Sequence, residues 1–60
     1  MKNISQLIET LITDYNLVEL NANEDLTYLW NFLIDAKVRY GGDKELPDYL
    51  PVQKLITKYL

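Results

Sequence analysis

The 60-residue chain contains no cysteine and no histidine. The missing thiols exclude a disulfide framework, and the two absences together exclude zinc sites of the usual Cys/His kind. Without an imidazole, Ser5 has no ordinary general base, so Ser/His nucleophilic chemistry is excluded as well. Glycine and proline are scarce, at two each, which does not fit a disordered or low-complexity segment. No apolar run approaches the roughly 20 residues that a membrane-spanning helix requires. The start "MKNISQLIETLI" places Glu9 inside its apolar stretch and shows no small-residue cleavage site, so neither secretion nor spanning is expected. Together with the lack of cysteine, this makes the cytoplasm the expected compartment.

What is present describes one small folded domain: 48% of the residues are hydrophobic and 25% charged. A chain of this length buries only about 60% of the surface it exposes when unfolded, so it needs a regular core or a partner. The net charge is -3 and is unevenly spread. Residues 1 to 36 hold six acids against Lys2 alone, and residues 37 to 60 hold five bases against three acids. Nucleic-acid binding rests on a concentrated basic face that displaces counterions, and five scattered bases on an acidic chain argue against it.

Three segments carry helical periodicity. Ile4, Leu7, Ile8, Leu11, Ile12 and Tyr15 form an amphipathic stripe, with Asn3 and Gln6 spaced as a capping box, which predicts a helix over about residues 4 to 15. Asn16 is the expected left-handed cap at its end, with Leu17 folding back onto Ile12. Residues 17 to 23, "LVELNAN", are expected to form a connector. Asn23 as N-cap, with Glu24 and Asp25 complementing the helix dipole, predicts a second helix over residues 24 to 40. Lys37 and Arg39 suit its last turn, and Gly41 suits its C-cap. "GDKELPDYLP" is expected to be a turn, or a single helical turn at residues 44 to 49, since each proline biases the residue before it away from helical geometry. Pro51 suits the first position of a third helix over residues 51 to 59, with Val52, Leu55, Ile56, Tyr59 and Leu60 as its stripe. The expected fold is all-α: a small three-helix bundle, an α-hairpin plus a C-terminal helix, completed by dimerisation where its own helices leave a face uncovered.

The middle segment, "LTYLWNFLIDAKVRYGG", is apolar on more than one side. A helical wheel places Leu26, Leu29, Trp30, Leu33, Ala36 and Tyr40 on the core face and Ile34 at its margin. Tyr28 and Phe32 fall off that face, beside Asp35 and Arg39. Neighbouring helices burying two adjoining faces would account for this. An exposed aromatic patch for a partner or for self-association is the sharper alternative, because aromatic rings bury much area for little lost side-chain entropy. On that second reading Tyr28, Phe32, Asp35 and Arg39 are the candidate partner-binding residues.

Other chemistry finds no support. Glu24 and Asp25 are adjacent and so about 100° apart on a helix, unlike a facing carboxylate pair, and capping explains them. Asp43, Glu45 and Asp48 alternate, but the calcium-loop spacing is absent and Pro47 interrupts it. "YGGDKE" lacks the Gly-Lys-Ser/Thr of a phosphate loop. Catalytic residues, metal ligands and cofactors are therefore not expected.

The order "QLIETLITDY", an Asn/acid-rich turn, a longer helix ending "IDAKVRYGG", a proline-bearing linker and "LPVQKLITKYL" resembles the enterocin A-type bacteriocin immunity proteins. The resemblance extends along nearly the whole chain and is carried by helix order, by Ala36 and Lys37 before a turn, and by Leu50, Ile56 and Leu60 in the last helix. It implies a cytoplasmic helical bundle that protects a producing cell against a pediocin-like peptide by recognising the bacteriocin with its sugar-transporter receptor, without catalysis. It also implies a fourth helix and a specificity-bearing tail after the third, whereas this chain stops at Leu60, so the third helix is expected to lack a neighbour that a dimer would supply. The expected function is accordingly non-enzymatic protein binding. The alternatives are a small acidic inhibitor of a host protein carried by a phage or mobile element, and an assembly that forms a basic groove from Lys37, Arg39, Lys54 and Lys58. Neighbouring genes separate the first two, and salt-dependent DNA binding tests the third.

Overall fold

Three asparagines open three helices in the computed structural model of the chain, which describes residues 2–60. Asn3 caps α1 (Ile4–Asp14), Asn16 caps α2 (Leu17–Ala22), and Asn23 caps α3 (Glu24–Tyr40). The fourth helix, α4 (Leu50–Tyr59), has no side-chain cap and starts on Tyr49 with Pro51 in its first turn. There the absent proline N–H leaves one fewer donor to satisfy, and the fixed φ suits the helix. The described residues therefore form an all-α domain of four helices, not the three expected.

The added helix is α2, where a connector was expected. Asn16 is not a left-handed cap ending α1 but the extended N-cap of the next helix, in a full capping box with Glu19. Its side-chain oxygen accepts from Glu19 N–H at 2.8 Å, and the Glu19 carboxylate accepts from Asn16 N–H at 3.2 Å. These two bonds satisfy donors that a six-residue helix could not otherwise satisfy. Thr27, one helix later, donates to the Leu20 carbonyl at 2.5 Å and so ties the end of α2 to α3. Leu17 does not fold back, and at 73% exposure it stands in solvent. Only Leu20 of this helix is buried.

All four free N–H groups at the start of α1 have partners. Asn3 N–H donates to Gln6 Oε1 and Gln6 N–H donates to Asn3 Oδ1, both at 2.8 Å. Ile4 N–H donates to the Lys44 carbonyl and Ser5 N–H to the Gly42 carbonyl, both at 2.9 Å. The segment after α3 thus folds across the α1 N-terminus, with a single antiparallel pairing of Asn3 and Glu45, and forms no helical turn at residues 44 to 49. Two glycines permit the approach. Gly41 takes φ +97° to end α3, as its position predicts. At Gly42 a methyl group would overlap Ser5 Oγ and stand only 3.2 Å from Ser5 Cβ.

α3 packs against α1, α2 and α4. Its 17 residues span about 26 Å at 1.5 Å per residue, which sets the 27 Å long dimension of the molecule. The core comprises Ile4, Leu7, Ile8 and Leu11 of α1, Leu20 of α2, Leu26, Leu29, Leu33 and Ala36 of α3, and Val52 of α4. Trp30 and Ile34 pack against it half-buried, whereas Tyr40, expected on the core face, is 54% exposed. Among the described residues no polar side chain is buried and no buried side-chain polar atom lacks a partner. The accessible surface is 4241 Å², near the roughly 4,100 Å² that mass scaling gives for a monomer of this size. α2 packs on α3, and the C-terminal helix has α3 as its main neighbour.

α4 is held at its far end by a polar cluster. The Tyr59 hydroxyl donates to Asp25 Oδ2 at 2.9 Å and the Tyr15 hydroxyl donates to the Tyr59 carbonyl at 2.9 Å. The two rings meet edge to face at 6.5 Å. Lys58 lies 4.0 Å from Asp25 and 5.3 Å from the Tyr59 ring centre. Two of the five tyrosines therefore join helix ends and are not free for a partner.

Candidate functional site

The spacing of Tyr28, Phe32, Asp35 and Arg39 places all four within about 60° of one another around the axis of α3. The core residues Leu26, Leu29, Leu33 and Ala36 occupy the adjoining side of the same helix. The four candidate residues therefore stand together on one outward stripe, in the order ring, ring, carboxylate, guanidinium. Tyr28 is 44% exposed and Phe32 is half-buried against the core.

Phe32 is covered from a direction that the helix alone does not reveal. Tyr49, from the linker before α4, lies over it with ring centres 5.8 Å apart and planes 9° apart. Tyr28 continues the row on the other side, with its centre 6.3 Å from that of Phe32 and a 29° interplanar angle. Offset stacking at these distances is favourable because it relieves the repulsion of facing quadrupoles. Tyr49 N–H donates to the Pro47 carbonyl at 2.8 Å, a tight bend just before α4 that presents the ring to α3. Leu46 packs on the core and anchors the same segment.

Beyond the rings, Asp35 and Arg39 pair at 2.9 Å across one helical turn. Both side chains are well exposed, so the pair contributes at most a few tenths of a kcal/mol to stability. Its effect is to leave the stripe without net charge. A shallow groove of about 310 Å³ runs beside it, lined by Phe32, Asp35, Arg39, Tyr40, Pro47 and Tyr49. Tyr40, which leaves the core face, joins this groove.

The periodicity of α3 locates four members of the site. It does not locate Tyr49, Pro47 or Tyr40, since Tyr49 reaches Phe32 through the turn at Gly41 and Gly42 from 17 positions away. The one sequence signal for that approach is the tyrosine count, which does not say which tyrosines meet. Of the four bases named for a groove formed on assembly, Arg39 pairs with Asp35 and Lys58 approaches Asp25 within the chain. Among the described residues no three carboxylates gather in a way that could hold a metal ion, and no helix is long and apolar enough to cross a membrane.

Stacked rings backed by a core, a shallow groove and an internally neutralised ion pair form a surface suited to apolar and planar contact. Comparison with known protein families, with characterised proteins and with solved structures gives no match for this chain.

Proposed function

We propose that this chain is a non-enzymatic protein-binding domain whose contact face is the row Tyr28, Phe32 and Tyr49 together with the Asp35–Arg39 pair. The observation that carries the reading is the row itself: three rings from two segments stack in sequence on the outside of a helix whose other side already fills the core. A surface of this kind has the rigid aromatic centre and polar rim that binding faces use.

The most concrete form of the reading is immunity to a pediocin-like peptide, exerted in the cytoplasm. Its support is the likeness in helix order set out above. The extra helix lies between the first and the longest helix, not after the third as the resemblance implies, so the likeness supports the class of function and assigns no specificity residue.

The test is protection. A susceptible Gram-positive strain producing this chain should survive a pediocin-like peptide that kills the parent strain, and Tyr28→Ala should abolish survival while leaving the far-ultraviolet circular dichroism unchanged. Equal killing of both strains removes the immunity reading. Slowed growth of the producing strain without any peptide would favour the inhibitor reading in its place.

A further inference from the structure

We propose that the outward stripe of α3 is self-complementary and that a second copy of this chain occupies it, α3 against α3 in antiparallel orientation. The inference rests on the protein-binding reading of this face and names one occupant for it.

The stripe residues 28, 32, 35 and 39 are separated by four, three and four positions, a spacing that reads the same from either end. A two-fold axis crossing α3 between residues 33 and 34 therefore brings Tyr28 opposite Arg39 of the second copy, and Phe32 opposite Asp35 of the second copy. The same four-three-four spacing is the seam along which helices pack in a coiled coil. An isologous contact requires each patch to complement itself, and this arrangement does.

The facing groups match chemically. Arg39 already uses its Nε on Asp35 at 2.9 Å. That bond lies in the plane of the guanidinium, so its flat face remains free to cover the Tyr28 ring of the second copy. The positive edge of the Phe32 ring meets the Asp35 carboxylate of the second copy. Each contact occurs twice. The stripe carries one acid and one base on a chain of net charge -3, so two copies repel less here than through an acid-rich surface.

The contact also covers a feature that the isolated fold leaves unexplained. Val38 is 81% exposed, the most exposed large apolar side chain among the described residues, and with Asn31 it flanks the stripe on one side. Pro47 and Tyr49 flank it on the other. Leu17 and Val18 on α2 are nearly as exposed, but they lie on a six-residue helix and have no complementary charge pair beside them.

The length of the stripe sets the strength of the association. Eleven positions of helix cover about 17 Å. A standard interface buries roughly 800 Å² per partner, nearly a fifth of the 4241 Å² available here. A seam this short falls at the low end of interface sizes, which places the dimer in the weak, exchanging class.

Sedimentation equilibrium of the full chain between about 10 micromolar and 1 millimolar tests the inference. The apparent mass should climb from 7.1 kDa toward twice that value. Arg39→Glu and Tyr28→Lys should each weaken the dimer tenfold or more without loss of helicity. Combining them should restore it to within a few-fold, because the new ammonium and carboxylate face each other only across the two-fold axis. Within one copy the two positions are about 17 Å apart and do not meet. A wild type that stays monomeric at 1 millimolar overturns the inference, as does a dimer indifferent to Arg39→Glu or a combined variant that fails to recover. A monomeric wild type whose protective effect is still lost on Tyr28→Ala would overturn self-association alone and leave the foreign-partner reading standing.

Discussion

α1 and α4 carry the same kind of apolar stripe, yet the first buries four side chains and the last buries one. Spacing determines which side of a helix turns inward. How deeply that side sinks depends on what surrounds it. α1 lies along α3, and its first turn is stitched to the segment after α3 by two backbone bonds. α4 has α3 as its main neighbour, so Leu55, Ile56, Tyr59 and Leu60 remain half-covered and only Val52 is sealed. Tyr59 then ties with Asp25 and Tyr15 what apolar burial leaves loose.

The largest effect that should separate the two helices comes from truncating their apolar stripes. Leu11→Ala removes a side chain with no exposed surface and should cost about 3 kcal/mol, most of the stability of so small a domain. Leu55→Ala, from a half-covered site, should cost less than half as much. Urea titrations of both variants measure the gap, and equal midpoints would erase the distinction between the helices.

Next in size is the stitch at the start of α1. Gly42→Ala drives a methyl group against Ser5, and overpacking of this kind should cost about 2 kcal/mol, read as a lower melting temperature. Combined with Ser5→Gly, which removes the obstructing side chain, much of that loss should return. The smallest effect belongs to the tie on α4: Tyr59→Phe removes the donor to Asp25 and should cost about 1 kcal/mol. Hydrogen exchange should show that loss first in the α4 amides, with α1 amides unchanged until global unfolding.

The start of each long helix and the end of α3 were legible because each rests on contacts within a few residues. Asn3 with Gln6, Asn23 with Asp25 and Leu26, and Gly41 at φ +97° are all local arrangements. α2 was not legible because six residues with one buried position show no apolar period. Its signature was present in the Asn16 and Glu19 spacing, but Asn16 also fits the end of the preceding helix, and only the observed extended backbone separates the two roles. Trp30 sits at the margin of the core face, and Tyr40 lies at its centre but on the last residue of α3, so in both cases the nearest neighbour, not the wheel, decides exposure.

The sequence by itself determined that the chain is helical, where α3 begins and ends, and that Tyr28, Phe32, Asp35 and Arg39 share one side of it. These follow from backbone geometry and from contacts that reach no further than a helical turn. Only the tertiary structure decided that Tyr49 completes the aromatic row, that the Gly42 segment closes the start of α1, and that α4 is the lightly held element. Each depends on groups far apart in the chain being brought together by burial, which acts on area removed from water and so leaves no periodic mark in the order of the residues.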